Sequence, residues 1–116
     1  MNRETSHQQG KDGEGKAVEY LQKQQHRIVK TNFRNRIGEI DIISVKKQKL
    51  YLVEVKTWNS YTGFEPLETF SKSKIVKMRK LAEVFLCVQP SYRNYFISFC
   101  LLSIRKHKIE FYTDLF

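Results

Sequence analysis

Two apolar, β-branched runs, Ile40–Val45 and Leu50–Val55, flank the polar stretch Lys46-Lys47-Gln48-Lys49, and acids interrupt both runs at matching places. A turn centred on Lys47-Gln48 closes these runs into a hairpin, with strands over about 38–45 and 50–57. In that register Asp41 stands opposite Glu54, and Glu39 opposite Lys56. The two-residue period of a strand puts these four side chains on one face and Ile40, Ile42, Val53 and Val55 on the other. Beyond them Ile43, Val45, Leu50 and Leu52 make the acidic face apolar too, as expected of central strands covered on both sides. Two carboxylates facing each other, with Cβ atoms roughly 5 Å apart, destabilise a hairpin. A bound divalent cation turns that repulsion into a site, since carboxylate oxygens, waters and a substrate phosphate together satisfy Mg²⁺ or Mn²⁺. Lys56 would then stand near the metal, placed to orient an attacking water or offset charge on a phosphate. The plainer alternative makes Glu39–Lys56 an ordinary cross-strand ion pair with Asp41 and Glu54 solvated. It leaves the Asp41/Glu54 repulsion unexplained.

Convergent acids run against the composition. The 116 residues carry 21 Lys+Arg and 12 Asp+Glu, a formal charge of +9, which favours a polyanionic partner, nucleic acid before an anionic membrane. With 41% hydrophobic and 13% aromatic residues the chain can build a core. The apolar stretch from Tyr95 to Ile104 is broken by Ser98 and Ser103 and is too short to span a bilayer. The N-terminal residues lack the apolar segment of a signal peptide, so the expected location is cytoplasmic. Cys87 and Cys100 read as buried free thiols, with a disulfide as the alternative, and the lack of a CxxC and the scattered histidines argue against a zinc site.

Around the hairpin the chain reads as one domain over 10–116, preceded by a flexible arm over 1–9. Ala17, Val18 and Leu21 follow helical spacing from Gly10 to about Gln24, with Asp12 as the expected N-cap. Glu14 falls on the same inward stripe, through i, i+3, i+4 and i+7 spacing, instead of facing water; its alternative role is that of an acid at the helix's positive end. Arg27–Phe33 is a strand. Ser71 or Ser73 can cap a second helix that runs to about Leu86 on Ile75, Met78, Ala82 and Phe85, with Pro90 marking its end. Strands over about 94–104 and 108–113 complete an α-β-β-β-α-β-β order. Lys74 and Lys77, neighbours on a helix face, form a candidate phosphate clamp, and Arg34 and Arg36 load the turn before the acidic hairpin. A solvated basic face is the alternative for each. No serine or cysteine has the context of a hydrolase nucleophile, and P-loop and dinucleotide fingerprints are absent.

Asp41 followed by Glu54-x-Lys56 on a hairpin resembles the core of the PD-(D/E)XK nucleases, an α/β restriction-endonuclease-like unit with a mixed central sheet flanked by helices. More narrowly, the chain resembles the YraN-like family of endonuclease-related proteins, which are similar in turn to archaeal Holliday junction resolvases. The likeness runs through Gly10-x-x-Gly13-Glu14-x-x-Ala17-x-x-Tyr20-Leu21, Asn32-Phe33-Arg34, Gly38-Glu39-Ile40-Asp41-Ile42-Ile43 and Val53-Glu54-Val55-Lys56, with Lys74-x-x-Lys77 less specific. The resemblance implies that Asp41, Glu54 and Glu14 serve the metal, that Lys56 is the catalytic lysine, and that Glu39 partners and orients it. It also implies metal-dependent cleavage of DNA, before RNA, of a branched or structured kind. The alternative is a nucleic-acid-binding module that keeps the fold without turnover. Trp58 stands where the family usually has a basic residue, and an exposed indole there could stack on an unpaired base. Resolvases work as dimers; the 95–104 strand with Phe111, Tyr112 and Phe116 is either such a homodimer interface or core.

Overall fold

A computed structural model describes residues 6–58 and 63–116, the side chains of residues 6–11 excepted. Its elements are α1 (Ser6–Lys23), β1 (Arg27–Arg34), β2 (Glu39–Lys46), β3 (Lys49–Trp58), α2 (Lys72–Val88), β4 (Phe96–Arg105) and β5 (Lys108–Tyr112), with single 3-10 turns at Pro66–Thr69 and Pro90–Tyr92. This is the α-β-β-β-α-β-β order, a mixed α/β arrangement consistent with a PD-(D/E)XK-like core. The sheet runs β1-β2-β3-β4-β5. All neighbours are antiparallel except β3 and β4, which pair in parallel over their whole length. A parallel pair cannot be closed by a tight turn, and α2 is the crossover that joins them.

Each helix covers one face. Met78, Leu81, Ala82 and Phe85 of α2 pack against Ile43, Val45, Leu50, Leu52, Phe99 and Leu101. Ala17 and Leu21 of α1 pack against Ile42, Val53, Cys100, Leu102 and Ile104. Alternation along the central strands therefore feeds two cores at once, which is why their sequences read as nearly unbroken apolar runs. Phe111 packs beside α1, and Phe116 stacks on Phe99 with centroids 4.8 Å apart. Phe99 to Leu102 and Ile104 thus lie in the cores, with Phe111, Tyr112 and Phe116 partly buried against them, while Phe96 at the start of β4 is 74% exposed.

Ser71 caps α2, its Oγ accepting from the Lys74 amide at 3.1 Å. α1 begins at Ser6, so Asp12 lies inside the helix and is not its cap. Gln8, Gln9 and Lys11 are good helix formers, and they extend the helix toward the N-terminus without an apolar stripe to betray it. Of the arm expected over 1–9, residues 1–5 lie outside the described residues and 6–9 are helical. Cys100 is buried as expected, whereas Cys87, on the outer side of α2, is exposed.

Candidate metal centre

The hairpin register matches the one read from the sequence: Ile42 faces Val53, Ser44 faces Tyr51, and Lys46 faces Lys49. The ladder stops at Ile42↔Val53, one residue short of Asp41. There the Asp41 carboxylate accepts a hydrogen bond from the Val55 backbone N–H at 2.8 Å, so a side chain takes over where the backbone pairing ends. The pleat also breaks. Ile40 and Ile42, two residues apart, pack in different cores, Ile40 on the α2 side and Ile42 on the α1 side. The expected grouping of Ile40 with Ile42, Val53 and Val55 therefore does not form, because Ile40 lies in the other core. In β1, Asn32 adopts a left-handed backbone (φ 53°) beside this stretch of β2. The hairpin opens into a mouth at the end that carries its acids.

α1 closes that mouth from one side. A Cβ on Gly13 would lie 2.6 Å from Thr57 Oγ1, so only a glycine lets the helix sit this close to β3. The next residue, Glu14, consequently reaches β2. One carboxylate oxygen each of Glu14, Glu39 and Asp41 lies within 4.8 Å of the others. Burial raises the Asp41 carboxyl above its usual range, against the opposing pull of the Val55 N–H and the Lys74 charge. Three hard oxygen donors this close, one of them paying a desolvation penalty that a cation would relieve, fit Mg²⁺ or Mn²⁺.

Glu54 stands apart from this trio. Its carboxylate, 12% exposed, is ion-paired with Lys74 on the first turn of α2. Burial lowers the Lys74 ammonium from its ordinary value, while Asp41 pulls it the other way, so the lysine feels acids from both strands. No Glu39–Lys56 ion pair forms among the described residues. Glu39 joins Glu14 and Asp41 instead, because the broken pleat turns β2 there. Lys56 is exposed, its Nζ 5.4 Å from the centre of the Trp58 ring. Trp58 is not the exposed indole expected: it is half-buried and stacks on Phe64 at 4.9 Å. The gathering of Glu39 and the Lys74–Glu54 pair were not visible in the sequence. Both depend on tertiary placement, and only the mixed signs at these positions hinted at them.

Lys74 and Lys77 share a cleft, and Arg34 and Arg36 lie on the turn that adjoins it. Arg34 and Arg36 are exposed at the β1–β2 turn, which Asn35 stabilises by accepting from the Ile37 N–H at 2.7 Å. That turn packs against the start of α2 to form a cleft of about 260 Å³, lined by Ile37, Gly38, Glu39, Ser73, Lys74 and Lys77 among others. The cleft opens beside the carboxylates, with Glu39 and Lys74 shared between the two.

The model of the uncharacterised protein family UPF0102 matches residues 13–104, from the close-packed glycine of α1 to the end of β4. The chain belongs to this family. A UPF0102 protein of Leptospira interrogans is 45% identical over 108 residues, covering 92% of this chain and 93% of the relative. UPF0102 proteins of Caldicellulosiruptor bescii (38% over 97 residues, 84% and 82% covered) and Persephonella marina (39% over 101 residues, 86% and 85% covered) are similar to it. UPF0102 is the YraN-like, nuclease-like group that the sequence resembles. Every acid and lysine of the candidate centre falls within the span matched by the family model.

Proposed function

We propose that this UPF0102 protein is a Mg²⁺- or Mn²⁺-dependent endonuclease that binds DNA of branched or otherwise structured form and hydrolyses its phosphodiester bonds. The observation that carries the proposal is the meeting of Glu14, Glu39 and Asp41 within 4.8 Å, in a chain of formal charge +9. A basic protein that concentrates acids at the mouth of an opened hairpin favours a cation there, not an ordinary ion pair. Glu14, Glu39 and Asp41 would hold the metal, with Glu54 joining from β3. The metal, when bound, supplies activation of a water and neutralises charge on the phosphate. Lys56 stands at the solvent side, where a cation can meet the charge that develops on a scissile phosphate. Lys74 and Lys77 along the cleft, with Arg34 and Arg36 on the adjoining turn, would position the backbone of the nucleic acid.

One observation favours the second reading, a nucleic-acid-binding module without turnover: Glu54, a carboxylate the chemistry would use, is engaged by Lys74. Incubation with branched and single-stranded DNA in Mn²⁺ separates the two. An endonuclease nicks one of these substrates, and Asp41→Asn or Lys56→Ala abolishes nicking while leaving DNA binding within a few-fold of wild type. Binding of every substrate with no product from any of them establishes the module.

A further inference from the structure

Lys74 occupies a position that a solvated basic face does not explain. Its backbone is fixed by the Ser71 cap, its Nζ is ion-paired with the mostly buried Glu54, and it is electrostatically coupled to Asp41 across the open mouth of the hairpin. The ammonium lies over the Phe70 ring, 5.9 Å from its centre. It therefore neutralises acids from both hairpin strands, which is also what a divalent cation would do. The same side chain lines the cleft shared with Ser73 and Lys77. A flexible four-carbon stem lets an ammonium choose between two such seats at little cost.

The geometry points to Lys74 as an internal counter-ion that fills in for the divalent metal and exchanges with it: when the metal binds, Lys74 gives up Glu54 and turns into the cleft, where with Lys77 it meets a phosphate of the nucleic acid. This inference rests on the metal-site reading above and deepens it. It explains why Glu54 stands apart from the trio. It makes metal and phosphate binding mutually reinforcing, because the acid is released to one ligand as the lysine is released to the other.

Titration calorimetry with MnCl₂ on wild type, Lys74→Met and Lys74→Arg tests the exchange. Removing a competing charge this near two carboxylates should tighten Mn²⁺ binding by roughly tenfold in Lys74→Met. Lys74→Arg, which keeps the charge, should stay within about threefold of wild type. Equal or weaker binding by Lys74→Met, with wild type binding normally, overturns the exchange and leaves the metal site standing. Absence of Mn²⁺ binding by all three proteins overturns the metal site and the exchange together. A measurement on wild type alone guards against a variant that does not fold. The side-chain ammonium NMR signal of Lys74 should move toward that of a free lysine on saturation with MgCl₂; a signal that stays put while Mg²⁺ binds overturns the exchange.

Discussion

His26 and Asp41 are both titratable groups drawn into the fold, and they respond to burial in opposite ways. His26 is 7% exposed, edge-on to Tyr51 and Phe111, with its Nδ1 2.9 Å from Ser44 Oγ. Burial, helped by the charge of Lys46, lowers its pKa from 6.5 to about 4. The unfolded chain takes up this proton first, so the contribution of His26 to stability is complete above about pH 6.5 and is lost as the pH falls toward 4. Urea unfolding of wild type and His26→Asn should show the gap between them shrinking by about 2–3 kcal/mol from pH 7 to pH 4.5. Asp41 runs the other way. Its raised pKa means the folded protein holds the proton more tightly than the unfolded chain, so its contribution falls as pH rises through the folded value. Asp41→Asn keeps an oxygen for the Val55 N–H and removes the buried charge. Its melting temperature at neutral pH, measured without divalent ions, should exceed that of wild type by a few degrees.

Among the elements, the contact of α1 with β3 sets the position of Glu14. Gly13→Ala gains helix propensity but drives a Cβ against Thr57, and should lower stability by about 1–3 kcal/mol in denaturant unfolding. Gly15, two residues on, has nothing within 4 Å of a new Cβ, so Gly15→Ala should raise stability by up to about 1 kcal/mol. These two glycines look alike in the sequence, and only the packed structure tells them apart. The hairpin was more legible. Its polar tip and the phase of its apolar residues set the register through Lys46↔Lys49 and Ile42↔Val53. What strict alternation could not show was the break at Asp41, where a side chain replaces a ladder bond and Ile40 changes core. The inward turn of Glu14 was legible for the same reason as the register, because it follows a period. Glu39 was misplaced beside Lys56 because the period fails there.

On the scale of the molecule, two cores flank one sheet, and the candidate centre lies where the sheet's central hairpin opens between them. No described helix is long and apolar enough to cross a membrane. Charge is distributed with a purpose that net composition hides: acids meet at the mouth, while Lys74, Lys77, Arg34 and Arg36 border the adjoining cleft and turn. If these four residues carry the phosphate contacts, DNA affinity should fall with salt at a log–log slope of about −3 to −4. Lys77→Ala should reduce the steepness by about 1, as read by fluorescence anisotropy across a salt series. An unchanged slope would place the DNA on another face.

The central claim is that the acids at the open end of the hairpin form a cation site, and direct titration of the protein with Mn²⁺ tests it. Calorimetry on wild type should show one divalent ion bound per chain, with Asp41→Asn and Glu14→Gln each weakening that binding by at least about tenfold. A wild-type titration without binding heat, or binding that survives both substitutions unchanged, would contradict it.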